Sequence, residues 1–378
     1  MTKKYFDVAV IGGGLLGSSL AYGFSQAGLS AALIDEGDNA IRTARGNFGL
    51  VWVQGKGEGM REYARWSRKS ADGWLNFSDQ LSEVTGHDLG YHQSGGFNIS
   101  LDEAELQEYL RVLESLKADA GEEGYEYELV QGRTLAKYLP GIGEGVAGAT
   151  YCPHDGHVNP LYLLRALQEG FSKHGGCYMP LSSIDQIQPL QSSGFELLVE
   201  GRQVASCERL VIAAGHGSVG LGQQVGISIP IYPEQGQIIV TERSTDQLAY
   251  PTNMIRQTDE GTFMLGASAR DVGFNSETTT DTLQDIVRRC ADAFPNLRNL
   301  RIQRNWAALR IMTPDGFPVY SQSEEFPGVF AFSCHSGVTL AAVHAEDVCR
   351  WVVDGRIPID YRCFGPERFD VSTANAFD

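Results

Sequence analysis

Three glycines near the start of the chain have the spacing to bind phosphates. Gly12, Gly14 and Gly17 form the pattern Gly-x-Gly-x-x-Gly between an apolar segment and a segment with apolar residues at helical spacing. In such a turn the first glycine permits the tight bend, the second lets a pyrophosphate approach the backbone, and the third lets the helix pack closely on the sheet. The phosphates would lie at the N-terminus of the helix, beside its first residues Leu15 and Leu16.

An acidic residue follows the second apolar segment, AALI, of the same unit. Asp35 comes directly after this segment and suits the ribose hydroxyls of a dinucleotide, and the adjacent Glu36 could take its place. Strands over 5–11 and 31–34 with a helix over 15–27 indicate a βαβ unit and a parallel sheet. This unit predicts dinucleotide binding, but by itself it does not separate NAD from FAD.

Two further segments carry residues suited to the rest of such a cofactor. TARGNFGLVWVQGKG combines a cation, an amide and glycines with apolar residues, which suits a loop around a pyrophosphate and beside a flat ring. In CHSGVTLAA, residues 337–339 would form the first turn of a helix whose N–H groups stabilise negative charge at the N1/O2 edge of a reduced flavin. Ordinary N-capping explains Ser336 and Thr339 equally well. With LVIAAG, these segments supply the remaining predicted cofactor contacts: Arg45, Gly46, Asn47, Phe48, Gly49, Leu50, Ala214, Gly215, Ser336, Gly337, Val338 and Thr339.

Composition and charge exclude several classes of function. The chain has 378 residues, enough for two domains, and its formal net charge of −17 argues against a nucleic-acid surface, which needs a basic face. No apolar run is long enough to cross a bilayer, and the seven cysteines are scattered without a Cys-x-x-Cys pair. We therefore expect a cytoplasmic protein without a transmembrane segment and without a metal site or iron–sulfur cluster of its own.

The motifs, taken in order, resemble the D-amino-acid oxidase family of FAD enzymes, which includes glycine oxidase and sarcosine oxidase. The resemblance rests on GGGLLG with Asp35, ARGNFG, GATYCPHDGHVNP, LVIAAG, PEQGQIIVTE, WAALRIMTPDGFPVY and CHSGVTLAA, and it covers nearly the whole chain. RGNFGLVWVQGKG and CHSGVTLAAVHA look like the β-type subunits of octopine and nopaline oxidases, hydrogen cyanide synthase and D-hydroxyproline dehydrogenases. The resemblance implies a tightly bound FAD, a larger α subunit and a small iron–sulfur subunit, and in some relatives FMN at a subunit interface. Possible membrane association would then come through the partners.

The resemblance also implies a fold, which the remaining patterns fit. We expect an α/β fold of the glutathione-reductase type: a Rossmann-like FAD-binding domain with an inserted, mostly antiparallel β-sheet substrate domain. We assign 1–85, 145–220 and 315–378 to the first domain and 86–144 and 221–314 to the second. Periodicity predicts helices over 60–84, 102–119, 160–174, 278–294 and 336–354, strands over 88–100, 125–130, 145–151, 208–215, 301–310 and 328–333, a hairpin over 183–200 and a strand-rich block over 228–270.

Amine oxidation by a flavin moves a hydride from the carbon that bears nitrogen to flavin N5, so the protein must anchor the substrate. Arg310 matches the position where family members such as glycine oxidase bind the substrate carboxylate, and Arg suits that role because it donates two parallel hydrogen bonds. A structural salt bridge is the alternative, and Ile311 replaces the proline that often follows this Arg in the family. His335 before the last helix and Tyr250 in the strand-rich block are weaker catalytic candidates.

The distribution of lysines and cysteines bears on where the electrons go. Every lysine lies at or before Lys173, whereas monomeric sarcosine oxidases use a lysine in the later half of the chain to reduce O₂. We therefore expect a subunit that passes electrons to a partner, unless Lys56 reaches the flavin. No cysteine occurs between Cys290 and Cys334, so we expect non-covalent FAD. A stand-alone oxidase that produces H₂O₂ and a non-catalytic electron relay are the alternatives.

Overall fold

The computed structural model describes residues 5–37, 43–191 and 193–370 of the chain. Its strands are β1 (Tyr5–Ile11), β2 (Ala31–Ile34), β3 (Leu50–Val51), β4 (Gly96–Ser100), β5 (Glu128–Val130), β6 (Gly148–Cys152), β7 (Gly156–His157), β8 (Cys177–Met179), β9 (Gln186–Pro189), β10 (Phe195–Val199), β11 (Arg202–Ile212), β12 (Tyr232–Arg243), β13 (Ile255–Gln257), β14 (Thr262–Leu265), β15 (Ile302–Met312), β16 (Val319–Gln322) and β17 (Val329–Ser333). Its helices are α1 (Leu15–Gln26), α2 (Arg61–Thr85), α3 (Glu103–Ala120), α4 (Gly132–Tyr138), α5 (Pro160–Lys173), α6 (Ser218–Gln223), α7 (Thr280–Ala293), α8 (Ala341–Val343) and α9 (Cys349–Val353).

A mixed sheet forms the centre of the fold, with strand order β16-β17-β11-β1-β2-β8 and with β10 and β9 continuing from β11. β1 lies between β2 and β11 and is parallel to both. Strands that are covered on both faces are apolar throughout, and Ala9, Val10 and Leu33 are fully buried. The predicted βαβ unit is confirmed, and so is the antiparallel hairpin of β9 and β10.

Two smaller antiparallel sheets come from the middle of the chain. One has the strand order β13-β14-β12-β15 and the other has the order β4-β6-β5. Phe97, Ile239 and Phe263 belong to one apolar cluster that packs the two sheets together. Because β6 pairs with β4 and β5, the second sheet crosses the predicted domain boundary at residue 145. The division of the chain into two domains stays a prediction.

The last helical segment differs from the continuous helix predicted over 336–354. Residues 337–340 form a turn in which Leu340 N–H donates to the Ser336 carbonyl at 2.9 Å, and α8 begins only after it. A π-helical turn, His344–Val348, then joins α8 to α9. The predicted segment is therefore helical over most of its length, but its first turn is separate from the helix proper.

The π-helical turn packs closely against α1. A Cβ on Gly23 of α1 would overlap the carbonyl oxygen of Ala345, so the backbones of the two elements are in direct contact. Contacts of this kind leave no periodic signal in a sequence. Other elements also differ from the prediction. The strand predicted over 88–100 is shorter and is confined to β4, and no helix was predicted where α4 and α6 lie.

Candidate functional site

A cavity of about 560 Å³ opens at the carboxyl ends of β1, β2, β11 and β17. Ligands of parallel α/β sheets bind at this edge, and the volume lies within the roughly 300–1,000 Å³ typical of ligand pockets. The predicted residues that line it are Gly12, Gly14, Leu15, Leu16, Asp35, Glu36, Arg45, Asn47, Ala214, Gly215, His335 and Gly337. The predicted residues that lie outside its lining are Gly17, Gly46, Phe48, Gly49, Leu50, Ser336, Val338, Thr339, Arg310 and Tyr250.

The glycine turn leaves room for a ligand at one position and is filled by protein at the other two. Gly12 has a φ of +110°, and a Cβ on it would overlap the Ala213 carbonyl. A Cβ on Gly17 would overlap the Gly12 carbonyl oxygen, so Gly17 permits the close packing of α1. A Cβ on Gly14 would meet only the Cβ of Ala44, at 3.9 Å. No described side chain caps α1 at Gly14, so the N–H groups of its first turn remain available to an anion.

The carboxylate of Asp35 ties the glycine turn to the end of β2. Gly13 N–H donates to its Oδ2 at 2.6 Å, and Gly37 N–H donates to its Oδ1 at 2.8 Å. A carboxylate has about four acceptor sites, so both oxygens can also accept from ribose hydroxyls. Asp35 is half-buried and Glu36 is exposed, and both line the cavity. The two backbone bonds fix the orientation of Asp35, which favours it over Glu36 as the ribose ligand.

The predicted ring loop is fastened to the sheet that contains β13 and β15. Trp306 Nε1–H donates to the Gly46 carbonyl at 3.2 Å, and Arg256 Nε–H donates to the Phe48 carbonyl. Asn47 Oδ1 accepts from the N–H two residues later at 2.7 Å, which closes a local turn. These bonds explain why a loop so rich in glycine holds one conformation beside the cavity.

The turn before α8 forms one end of the cavity, and we call residues 335–340 the entry turn. Its residues His335 and Gly337 line the cavity. Trp74 Nε1–H on α2 donates to the Thr339 carbonyl at 3.0 Å, so a buried helix fixes the position of the entry turn.

Lys56 reaches the entry turn from the other half of the sequence. Its Nζ donates to Ser336 Oγ at 2.6 Å and to Thr339 Oγ1 at 3.1 Å. Tyr63 OH lies 2.8 Å from the same Ser336 oxygen. The two hydroxyls therefore bind a cation, and neither caps the helix that follows.

Burial perturbs the ionisable groups on this side of the cavity. Desolvation lowers the pKa of Lys56 from 10.5 to about 8, although the charge of Asp155 opposes the shift. Desolvation raises the pKa of Asp155 from 3.8 to about 7, against the hydrogen bonds that its carboxylate accepts from Val53 and Gln54. The entry turn thus lies beside a cation whose pKa is lowered to about 8 and an acid whose pKa is raised to about 7.

His335 faces the cavity and carries no charge at neutral pH. Its side chain is exposed to the cavity, yet the protein around it desolvates the ring, and the charges of Lys56 and Arg310 add to this effect. Both causes lower the pKa of His335 well below its ordinary value of 6.5. A neutral imidazole has one donor and one acceptor to offer a ligand.

Arg310 lies on β15 beside the cavity and forms an ion pair. Its Nη1–H donates to Glu234 Oε1 on the neighbouring strand at 2.7 Å, and both side chains are about a quarter exposed. The structural salt bridge that the sequence left as an alternative is therefore present. Leu309 and Ile311 line the cavity, and because side chains alternate along a strand, Arg310 projects from the opposite face.

Tyr250 lies in an aromatic cluster and away from the cavity lining. Its ring centroid is 5.3 Å from that of Phe97, 6.0 Å from that of Tyr138 and 6.1 Å from that of Tyr151. This position accounts for the residue through packing, so the geometry gives its predicted catalytic role no support.

The cavity lining also holds two buried polar atoms that the sequence did not single out. Ser333 Oγ and His216 Nε2 have no hydrogen-bond partner among the described residues. Buried polar groups are nearly always paired, so both atoms point to a polar ligand. Together with the open position at Gly14 and the carboxylate of Asp35, they fit an FAD with its pyrophosphate at α1 and its ring towards the entry turn.

The described part of the chain holds no cluster of three or more His, Cys, Asp or Glu residues arranged to bind a metal ion. His154 and His157, the two histidines of PHDGHVNP, belong to no such cluster. Within the same residues, no helix is both long enough and apolar enough to cross a membrane.

A central sheet with parallel strands, a glycine turn at its carboxyl edge and adjoining antiparallel sheets are typical of a dinucleotide-binding oxidoreductase. Residues 7–351 match the model of the DAO family, FAD dependent oxidoreductase, and the chain belongs to this family. It is 37% identical over 368 residues to an opine oxidase subunit of Rhizobium meliloti, a match that covers 97% of this chain and 99% of that protein. It is 36% identical to the corresponding opine oxidase subunit of Agrobacterium tumefaciens (strain Ach5), with the same coverage.

A solved structure confirms the predicted fold class. The crystal structure of glycine oxidase from Geobacillus kaustophilus superposes with a TM-score of 0.87 at 23% sequence identity, covering 96% of this chain and 98% of that chain. The predicted family is confirmed by the family model and the two opine oxidase subunits, and the model's description, FAD dependent oxidoreductase, supports the predicted FAD. The roles of the individual site residues stay predictions.

Proposed function

We propose that this chain is the catalytic FAD subunit of a multi-subunit enzyme that oxidises a secondary or primary amine of an amino acid or opine. When bound, FAD accepts a hydride from the carbon that bears the nitrogen. The substrate loses that C–H bond and gains a C=N bond, and the two electrons leave through a partner. Two relatives, at 37% and 36% identity, are named as subunits of opine oxidases, which supports the existence of such a partner.

The observation that carries this proposal is a single cavity that extends from the glycine turn to the entry turn. Gly14 and Asp35 line it at the glycine turn, and His335 and Gly337 line it at the entry turn. Gly14 would accommodate the pyrophosphate, Asp35 would accept from the ribose, and the entry turn would face the ring. A neutral His335 beside that ring adds no positive charge to repel a substrate ammonium, which must lose its proton before hydride leaves.

Arg310 would anchor the substrate carboxylate in this proposal. Arg has five N–H donors, and Glu234 accepts from only one of its nitrogens. A carboxylate can therefore bind the remaining donors, or it can exchange with Glu234. The anchor role requires the guanidinium to leave its strand face or the substrate to reach that face, so it needs a direct test.

The test is anaerobic mixing of the purified yellow protein with octopine, nopaline, D-hydroxyproline, sarcosine and glycine. Bleaching of the flavin absorbance identifies the substrate, and no bleaching with any amine contradicts the proposed function. Arg310→Ala should raise KM by about 10- to 150-fold, because a charged hydrogen bond is worth about 1.5–3 kcal/mol. Arg304→Ala is the matched control, since Arg304 is exposed on the same strand. Equal KM values in both variants would reject Arg310 as the anchor.

The partners and the location belong to the same proposal. We assign the chain a larger α subunit and a small iron–sulfur subunit, with a second flavin, FMN, at a subunit interface as a further option. The described residues include all seven cysteines, and no disulfide joins any two of them. Reduced thiols suit the cytoplasm, where glutathione and thioredoxin keep cysteines reduced.

One observation favours a second candidate, a stand-alone oxidase that produces H₂O₂. The lysine count predicted slow reduction of O₂ unless Lys56 approached the flavin, and Lys56 is hydrogen-bonded to the entry turn. Re-oxidation of the bleached protein by air separates the two candidates. Rapid recovery of the yellow colour with formation of H₂O₂ favours the oxidase, and slow recovery favours electron transfer to a partner.

A further inference from the structure

Lys56 is held in a polar setting that leaves one of its donors without a partner. An ammonium has three N–H donors and no acceptor. Ser336 Oγ and Thr339 Oγ1 accept two of them, and no described residue accepts the third. Both hydroxyls belong to the entry turn, which also contributes His335 and Gly337 to the cavity lining.

The loop that carries Lys56 is fixed on several sides by hydrogen bonds of the two residues before it. Asp155 accepts from Gln54 N–H at 3.3 Å and from Gln54 Nε2 at 2.7 Å. Tyr125 OH accepts from Gly55 N–H at 2.8 Å. Connections of this loop to the entry turn, to the β6–β7 turn and to the segment after α3 therefore determine where the charge lies.

The groups around Lys56 do not balance its charge at neutral pH. They are Asp155, Cys334, His335 and Tyr63, together with Tyr109 and Tyr125, which lie against the neighbouring Gly55. Burial raises the pKa values of the thiol and the three phenols and lowers that of the imidazole, so these five groups are neutral. The pKa of Asp155, raised to about 7, leaves that acid only partly ionised. Keeping an unbalanced cation in a desolvated position is costly, and a negative charge that arrives in the cavity would offset this cost.

We propose that Lys56, acting through the entry turn, supplies the positive charge that stabilises the reduced form of the bound FAD and so raises its reduction potential. The inference rests on the FAD of the proposed function but on no particular substrate. Lys56 would act through its charge and through the position it gives the entry turn. The purely structural alternative is that its ammonium only ties the loop to the entry turn.

The two roles predict different dependence on pH. Reduction adds negative charge beside Lys56, so the reduced protein should bind a proton there more tightly than the oxidised protein does. Above pH 8 the potential of the wild type should therefore fall by an additional ~30 mV per pH unit, the value for one extra proton in a two-electron couple. A tether alone would add no such proton.

The experiment measures the potential of the holoprotein by equilibration with a reference dye and a chemical reductant, from pH 6 to pH 10. Lys56→Met should lower the ratio of reduced to oxidised flavin at least tenfold at pH 7, which is about 30 mV, and should lose the additional slope above pH 8. Lys56→Arg should restore most of the ratio at pH 7 because it restores the charge. Lys69→Met is the control, since Lys69 is an exposed lysine of α2 that pairs with Asp347.

A Lys56→Met holoprotein with a ratio within threefold of the wild type and with the same slope would overturn the proposal. If Lys56→Met fails to bind FAD, the wild-type protein alone tests the proposal. A wild-type reduction potential whose slope against pH does not steepen above pH 8 would show that reduction adds no proton to Lys56. The measurement uses no amine, so it is independent of the substrate. A steeper slope above pH 8 in the wild type together with no bleaching by any amine would uphold Lys56 and reject the proposed function.

Discussion

Replacing Gly14 with alanine separates the binding of FAD from the stability of the fold. The new Cβ would meet only Ala44 Cβ, at 3.9 Å, and the φ of −71° suits any residue. The helix N-cap position prefers glycine over alanine, so we expect the apoprotein to lose no more than about 1 kcal/mol in its free energy of unfolding. The methyl group would instead occupy the place assigned to the pyrophosphate.

The expected loss of affinity follows from the size of that overlap. Inserting a methyl group into a filled site costs about 1–3 kcal/mol, which corresponds to a roughly 5- to 150-fold rise in the Kd for FAD. The assay is titration of the apoprotein with FAD, followed by the quenching of flavin fluorescence. Thermal unfolding of the same apoprotein checks that the fold is retained.

Two other glycines serve as matched controls. Gly73→Ala lies on the exposed face of α2, where the nearest atom to the new Cβ is Ala342 Cβ at 4.0 Å, so FAD affinity should not change. Gly17→Ala would drive a Cβ into the Gly12 carbonyl, so it should destabilise the apoprotein itself. If Gly14→Ala bound FAD within twofold of the Gly73→Ala protein, the pyrophosphate would not lie at this turn and the cavity assignment would be refuted.

Three further outcomes follow from the same geometry. Asp35→Asn should lower the free energy of unfolding by about 1 kcal/mol, since the amide oxygen can accept from only one of the two N–H groups that Asp35 now binds. The same variant should raise the Kd for FAD in the titration described above. Because the pKa of Asp155 is raised from 3.8 to about 7, this carboxyl binds more proton in the folded protein than in the unfolded protein in that interval, and its contribution to the free energy of unfolding should fall as pH rises from 4 to 7. Asp155→Asn should remove this slope in urea titrations; an unchanged slope would contradict the assignment. Tyr250→Phe should leave kcat and KM within twofold, because the ring packs in an aromatic cluster, and a larger loss would restore its predicted catalytic role.

The parts of the site that were predictable from the sequence are local in the chain. Gly12, Gly14 and Gly17 lie within one turn, and Asp35 lies at the end of the next strand, so periodicity and spacing were enough to predict their positions at the carboxyl edge of the sheet. The structure adds that Asp35 also fixes Gly13 N–H. Residue spacing carries no signal for this bond, because any residue except proline at position 13 would offer the same N–H.

The parts that were not predictable depend on contacts between distant segments. Lys56 and Ser336 are 280 residues apart, and only the fold places the ammonium on the hydroxyl. The unpartnered atoms of Ser333 and His216 have no signature in residue type or spacing. Tyr250 was assigned to the strand-rich block over 228–270, but alternation along its segment could not tell a cavity wall from an aromatic cluster.

The position of Lys56 changes how the scarcity of lysine in the second half of the chain should be interpreted. The count implied that no lysine of the second half lies near the flavin and left Lys56 as the exception, and topology brings the Lys56 ammonium to the entry turn. A charge there has two separable consequences: it stabilises the reduced cofactor, and it lowers the barrier for O₂ only if oxygen reaches the same side of the ring. If Lys56→Met lowered the potential but left the rate of re-oxidation by air unchanged, the electrons would leave by a route that Lys56 does not serve. The predicted partner would then be their destination.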